Sequence, residues 1–129
     1  MVLCLSWASA LVAVFAAVMH SYLGERYVLR PIFAPGRRAG LLEESAGTRR
    51  MIRAVWHLPS FAWAAAAVAV VGLAMYPASE LGIAGFVWVA LVLAGSGLAN
   101  ALASRGRHFG WAVLGLSAAL ALGAAAANA

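Results

Sequence analysis

The chain has 129 residues, 65% of them hydrophobic, a net charge of +5 and a mean hydropathy of +0.92. A soluble domain this apolar would aggregate, so the composition excludes one, and the length allows a single domain over residues 1–129. Nucleic acid is not the implied partner of the basic excess, because all nine positive side chains are Arg and fall in two gaps between apolar stretches.

Four apolar stretches, about 3–22, 55–75, 81–103 and 109–127, each approach the roughly 20 residues that a helix needs to cross the hydrocarbon core. A backbone surrounded by lipid must satisfy its own hydrogen bonds, so such stretches become helices. The expected fold is all-α: an integral membrane four-helix bundle, up-down-up-down, with both termini non-cytoplasmic.

The first span divides sharply into two faces. Ser6, Ser9, Ala10, Ala13, Ala16, Ala17, His20 and Gly24 recur at helical spacing, while Leu11, Val12, Val14, Phe15, Val18 and Met19 crowd the other side. Lipid is as apolar as leucine, so membrane helices associate by close packing, and the small face points inward. Ala8-Ser9-Ala10 imitates a signal-peptide cleavage site, but no positive charge precedes the apolar run and the Arg cluster follows it. The span therefore reads as a retained helix. Cys4, the lone cysteine, admits no internal disulfide and reads as a small apolar residue near a helix end.

The segment from about 24 to 53 is the one long loop. The first helix is expected to reach no further than Pro31, since the residue before a proline disfavours helix. Ala34-Pro35-Gly36 reads as a turn, and the paired carboxylates Glu43-Glu44 balance neighbouring Arg. Arg49, Arg50 and Arg53 then share a face at three- and four-residue spacing, with Met51, Ile52, Val55 and Trp56 able to dip into an interface. These three Arg are candidate contacts for anionic lipid.

Within the second span, Pro59 is placed to start or slightly kink the buried helix, and His57 shares a face with Ser60, Phe61, Ala64, Val68 and Gly72. A tight turn follows at 75–80, with Ser79 placed to cap the third helix. There Asn100 lies with Ser96, Gly97 and Ser104. Arg105 and Arg107 separate the third and fourth spans, and the fourth carries a small stripe of His108, Ala112, Gly115, Ala119 and Gly123. The Ala-rich tail from 124 is expected to fray. Most of the remaining aromatic residues sit near span ends, as an interfacial belt does.

The first and third loops hold every Arg, so the positive-inside rule makes them cytoplasmic. Richness in Ala, Gly and Arg suggests a bacterial source, hence a multi-pass protein of the inner, cytoplasmic membrane. On this reading His20, His57, Asn100 and His108 lie at nearly the same depth, near the cytoplasmic ends of their helices. Ionisable groups within a span ordinarily face the bundle interior or a wet cavity.

Three roles compete for that layer. As structural glue, it suits a non-catalytic accessory or scaffold subunit, or a self-associating one, working within a homo-oligomer or a larger membrane complex. As the inner mouth of a pore, it suits an oligomeric channel or transporter for protons, ions or small solutes, although the middle of every span is apolar. As a ligand set, it would use His20 and His57 to hold a haem iron or another transition metal. No cofactor is the simplest expectation. An enzyme is not expected: Asp is absent, no phosphate-binding glycine motif occurs, and the four Glu lie in loops or at interfaces.

Overall fold

A computed structural model describes residues 1–34, 45–76 and 79–129, so the 34–36 turn, Glu43, Glu44, Arg37 and Arg38 lie wholly or partly outside the described residues. The chain is all-helical: α1 (Val2–Gly24), a π-helical turn (Glu25–Leu29), α2 (Arg30–Ile32), α3 (Ala46–Ala74), α4 (Glu80–Ser104) and α5 (Gly110–Asn128). With α1, the π turn and α2 forming one continuous rod, four helices among the described residues are long and apolar enough to cross a membrane.

The rod corrects the long loop from both sides. Helix continues through Pro31 to Ile32, and α3 already starts at Ala46. The N–H of Arg30 reaches back five residues to the carbonyl of Glu25, and this wider turn lets the helix absorb Pro31. Ser45, whose role the sequence reading missed, caps α3 by accepting from the Thr48 N–H at 3.0 Å. Ser79 caps α4 as expected, accepting from the Gly82 N–H at 3.1 Å. Pro59 sits inside α3, which runs through it.

Around the bundle the order is α1, α3, α4, α5. α1 packs along both α3 and α5, α5 packs along α4, α3 touches α4 more lightly, and the diagonal pair α3 and α5 barely meets. Leu5 adjoins Gly123, and Gly82 adjoins Asn128, so both termini and the α3–α4 turn share one end. The described Arg occupy the other, called here the arginine-rich end.

The small face of α1 is its buried face: Ser6, Ser9, Ala10, Ala13, Ala16, Ala17 and Gly24. At its centre the Ser9 hydroxyl donates to the Ser117 carbonyl at 2.8 Å, and the Ser117 hydroxyl donates to the Ser9 carbonyl at 2.9 Å. This reciprocal clamp sets the rotation of α5 and corrects its expected stripe. Buried positions there are Leu114, Ser117, Ala118, Ala121, Ala124, Ala125 and Asn128, whereas Ala112, Gly115 and Ala119 are exposed. The tail expected to fray is helical and partly buried for the same reason. On α3 the inward positions are Ser60, Trp63, Ala66, Ala67 and Val70, while Phe61 and Val68 face outward. Large apolar side chains cover the outside of all four long helices.

Candidate functional site

At the arginine-rich end α1 and α3 are locked by aromatic packing over a glycine. The Trp56 indole occupies the space where a Gly24 Cβ would stand, so only glycine permits this approach. The His20 ring stacks on Trp56, with centroids 5.3 Å apart and planes 8° apart, and meets Trp63 edge-on at 5.2 Å. Its Nε2 lies 3.2 Å from the Trp56 carbonyl. A carbonyl only accepts, so Nε2 carries the proton and donates.

His57 is engaged separately. Its Nδ1 is 2.8 Å from the Ser21 hydroxyl, which donates its own hydrogen to Ser60 at 2.9 Å. Ser21 therefore accepts from Nδ1–H, making a short polar chain from α3 to α1 and back. Ser21, a small uncharged residue between His20 and Tyr22, carries nothing in the sequence that marks it as a partner of His57.

Glu25, in the π turn, faces two guanidinium groups rather than His20: Arg53 at 3.3 Å and Arg30 at 3.6 Å. Arg53 also lies over the Phe33 ring, 5.4 Å from its centroid. Of the three Arg proposed for anionic lipid, Arg53 thus already has a carboxylate. Arg50 is exposed and Arg49 is half-buried.

On the other side of the bundle, α4 ends in a tight left-handed cap. Arg105 has φ 52° and Gly106 φ 74°. The Gly106 N–H reaches the Ala101 carbonyl at 2.7 Å and that of Arg105 reaches Leu102 at 3.2 Å, the pairing of a Schellman motif. The reversal brings His108 beneath the end of α4. There its Nδ1 accepts from the Gly110 backbone N–H at 3.2 Å, and the His108 backbone N–H donates to Ser104 Oγ at 3.4 Å. The Trp111 indole N–H closes the turn onto the Gly106 carbonyl at 3.3 Å.

Between these two assemblies lies a groove of about 600 Å³, within the roughly 300–1,000 Å³ range of small-molecule sites. Its floor is Trp63 and Leu114, only 6% and 1% exposed, together with Ala16 and Gly24. The rim is open: Phe15 is 49% exposed, Tyr27 68% and Phe109 59%, and Ala103 and His108 are exposed as well. From Phe15 to Tyr27 the rod rises about 18 Å, at roughly 1.5 Å per residue. The residues that line the groove on this rod therefore extend from Phe15 to the arginine-rich end.

Of the four polar residues singled out by position, the groove gathers His20, Asn100 and His108, whereas His57 is not among its lining residues. Asn100 Oδ1 is buried with no partner, as are the indole nitrogens of Trp56 and Trp63. No set of three or more His, Cys, Asp or Glu among the described residues is placed to hold a metal ion. Trp56, Trp63 and Tyr27 enter as walls of a cavity, a role that a reading of aromatic residues as an interfacial belt does not supply. Comparison with models of protein families, with curated proteins and with solved structures found no match to this chain.

Proposed function

We propose that the chain is a four-span protein of a bacterial inner membrane, with both termini outside and the arginine-rich end in the cytoplasm. Its role is to hold a lipid-soluble molecule in the side groove without transforming it, as an accessory subunit does. The groove is the observation that carries this reading: a largely apolar trough walled by aromatic rings, whose rim residues Phe15, Tyr27 and Phe109 are exposed. Its polar groups favour binding over chemistry. His20 Nε2 donates to a backbone carbonyl and His108 Nδ1 accepts from a backbone N–H, so the ring hydrogen bonds of both imidazoles go to backbone and to no hydroxyl or thiol. Membrane placement is supported by the four apolar helices and by the confinement of Arg to one end.

The test is to purify the full chain in mild detergent, extract what remains bound and identify it by mass spectrometry, beside Ala103→Trp and Val113→Trp. Both substitutions place an indole in the groove, Ala103 from an exposed position that leaves the packed interfaces alone. A tightly held amphiphile in the parent chain, lost or strongly reduced in Ala103→Trp, is expected. Nothing bound to the parent, or equal amounts in all three proteins, overturns the proposal.

A further inference from the structure

We infer that the occupant is an anionic phospholipid, with one acyl chain in the groove and its head at the mouth against His108, Arg105 and Arg107. This rests on the groove being a binding site. The mouth has the polarity of an anion site. Because the Gly110 N–H is donated to His108 Nδ1, a neutral His108 ring keeps its proton on Nε2 and presents a donor there. Arg105 and Arg107 precede it in the same turn, both exposed, and Arg26 is exposed next in sequence to the rim residue Tyr27.

No carboxylate among the described residues competes for these three guanidinium groups. Glu25 is taken by Arg30 and Arg53, and Glu80 lies at the opposite end. Ser104 cannot offer a further donor, since its hydroxyl already donates to the Ala101 carbonyl at 3.5 Å. The mouth thus offers the His108 Nε2 donor and positive charge, and the trough behind it is mostly apolar, with His20 and Asn100 its polar exceptions. A molecule complementary to both is negative at one end and aliphatic along the rest. This places the anionic contact on the α4–α5 turn rather than on Arg49, Arg50 and Arg53, where sequence spacing alone put it.

Native mass spectrometry of the delipidated full chain, titrated with phosphatidylglycerol or phosphatidylcholine of identical acyl chains, separates the two levels of the argument. A surface Arg contributes about a fivefold gain in affinity for an anionic lipid. Wild type should therefore prefer phosphatidylglycerol by on the order of tenfold or more. Arg105→Gln with Arg107→Gln should cut that preference by on the order of tenfold or more while phosphatidylcholine binds as before, and Arg49→Gln with Arg50→Gln should leave it intact. Ala103→Trp should weaken both lipids. A preference undiminished by loss of Arg105 and Arg107, or absent in wild type, overturns the head-group assignment and leaves the groove standing if Ala103→Trp still weakens binding. Undiminished binding of both lipids by Ala103→Trp overturns the groove itself.

Discussion

Ser9 and Ser117 each donate to the other's backbone carbonyl, so neither hydrogen bond is lost when the opposite side chain is removed. Interhelical hydrogen bonds between membrane helices average about 0.6 kcal/mol. Ser9→Ala and Ser117→Ala should each cost roughly that amount, and the double variant should cost close to the sum. The remaining interaction, hydroxyl to hydroxyl at 3.1 Å, is what a double-mutant cycle isolates. Coupling well above about 0.5 kcal/mol, beyond the usual error of additivity, would mean that the side-chain contact and not the backbone carbonyls carries the clamp. Single residues were legible here in depth but not in direction. Position along the helices puts His20, His57, Asn100 and His108 near one end, and the structure places them there. Which way each ring turns depends on partners far along the chain. Ser21 draws His57 away from the groove, and the Trp56 carbonyl draws His20 toward α3. Depth follows from counting residues, whereas direction follows from side chains that only the folded bundle brings together.

Glycine spacing is a poor guide to which helix faces meet in this chain, and the elements show why. On α1 the small residues contrast with a wall of Leu, Val and Phe, so size alone identifies the inward face, and the buried set matches it. On α5 nearly every position is Ala, Gly or Leu. The rotation there is set by Ser117 and by Leu114 against α4, which leaves Gly115 and Ala119 outside. On α3, where a run of alanine offers no contrast, Phe61 and Val68 share a sequence face with His57 and the buried Ser60 yet turn outward. A series of Gly→Ala substitutions tests this element by element. At Gly24 the added methyl meets the Trp56 indole, and overpacking of this kind costs about 1–3 kcal/mol. At Gly97 it would come within 3.1 Å of the Trp111 carbonyl oxygen, so α4 and α5 must part slightly and a smaller loss follows. At Gly95 and Gly115 nothing lies within 4 Å, and the better helix propensity of Ala, up to about 1 kcal/mol, should leave stability unchanged or improved. Thermal or denaturant unfolding in detergent reads all four. Destabilisation at Gly115 equal to that at Gly24 would return α5 to the rotation suggested by its small-residue stripe.

The whole molecule is asymmetric in charge from end to end. Both termini and the α3–α4 turn share one end, and the Arg of the α4–α5 turn, with those around the π turn and the start of α3, occupy the other. If the bundle crosses a bilayer, this asymmetry dictates its orientation, because Lys and Arg in short loops are retained in the cytoplasm. No Asp or Lys dilutes the signal, and the first and third gaps carry all nine Arg against none in the second gap or at either terminus. A chain with one cysteine makes the orientation measurable. In a Cys4→Ser background, a cysteine replacing Ala129 at the carboxyl end should react with a membrane-impermeant maleimide in intact cells. One replacing Ala34, exposed just beyond α2, should react only after the membrane is opened. Neither substitution removes a charge, so the probes leave the orienting signal in place. The reverse pattern would put the mouth of the groove, with Arg105, Arg107 and His108, on the outer face. The lipid it meets would then come from the other leaflet, and the head-group preference would have to be explained by outer-leaflet composition. Labelling of both positions in intact cells would mean a mixed orientation, which so one-sided a charge distribution argues against.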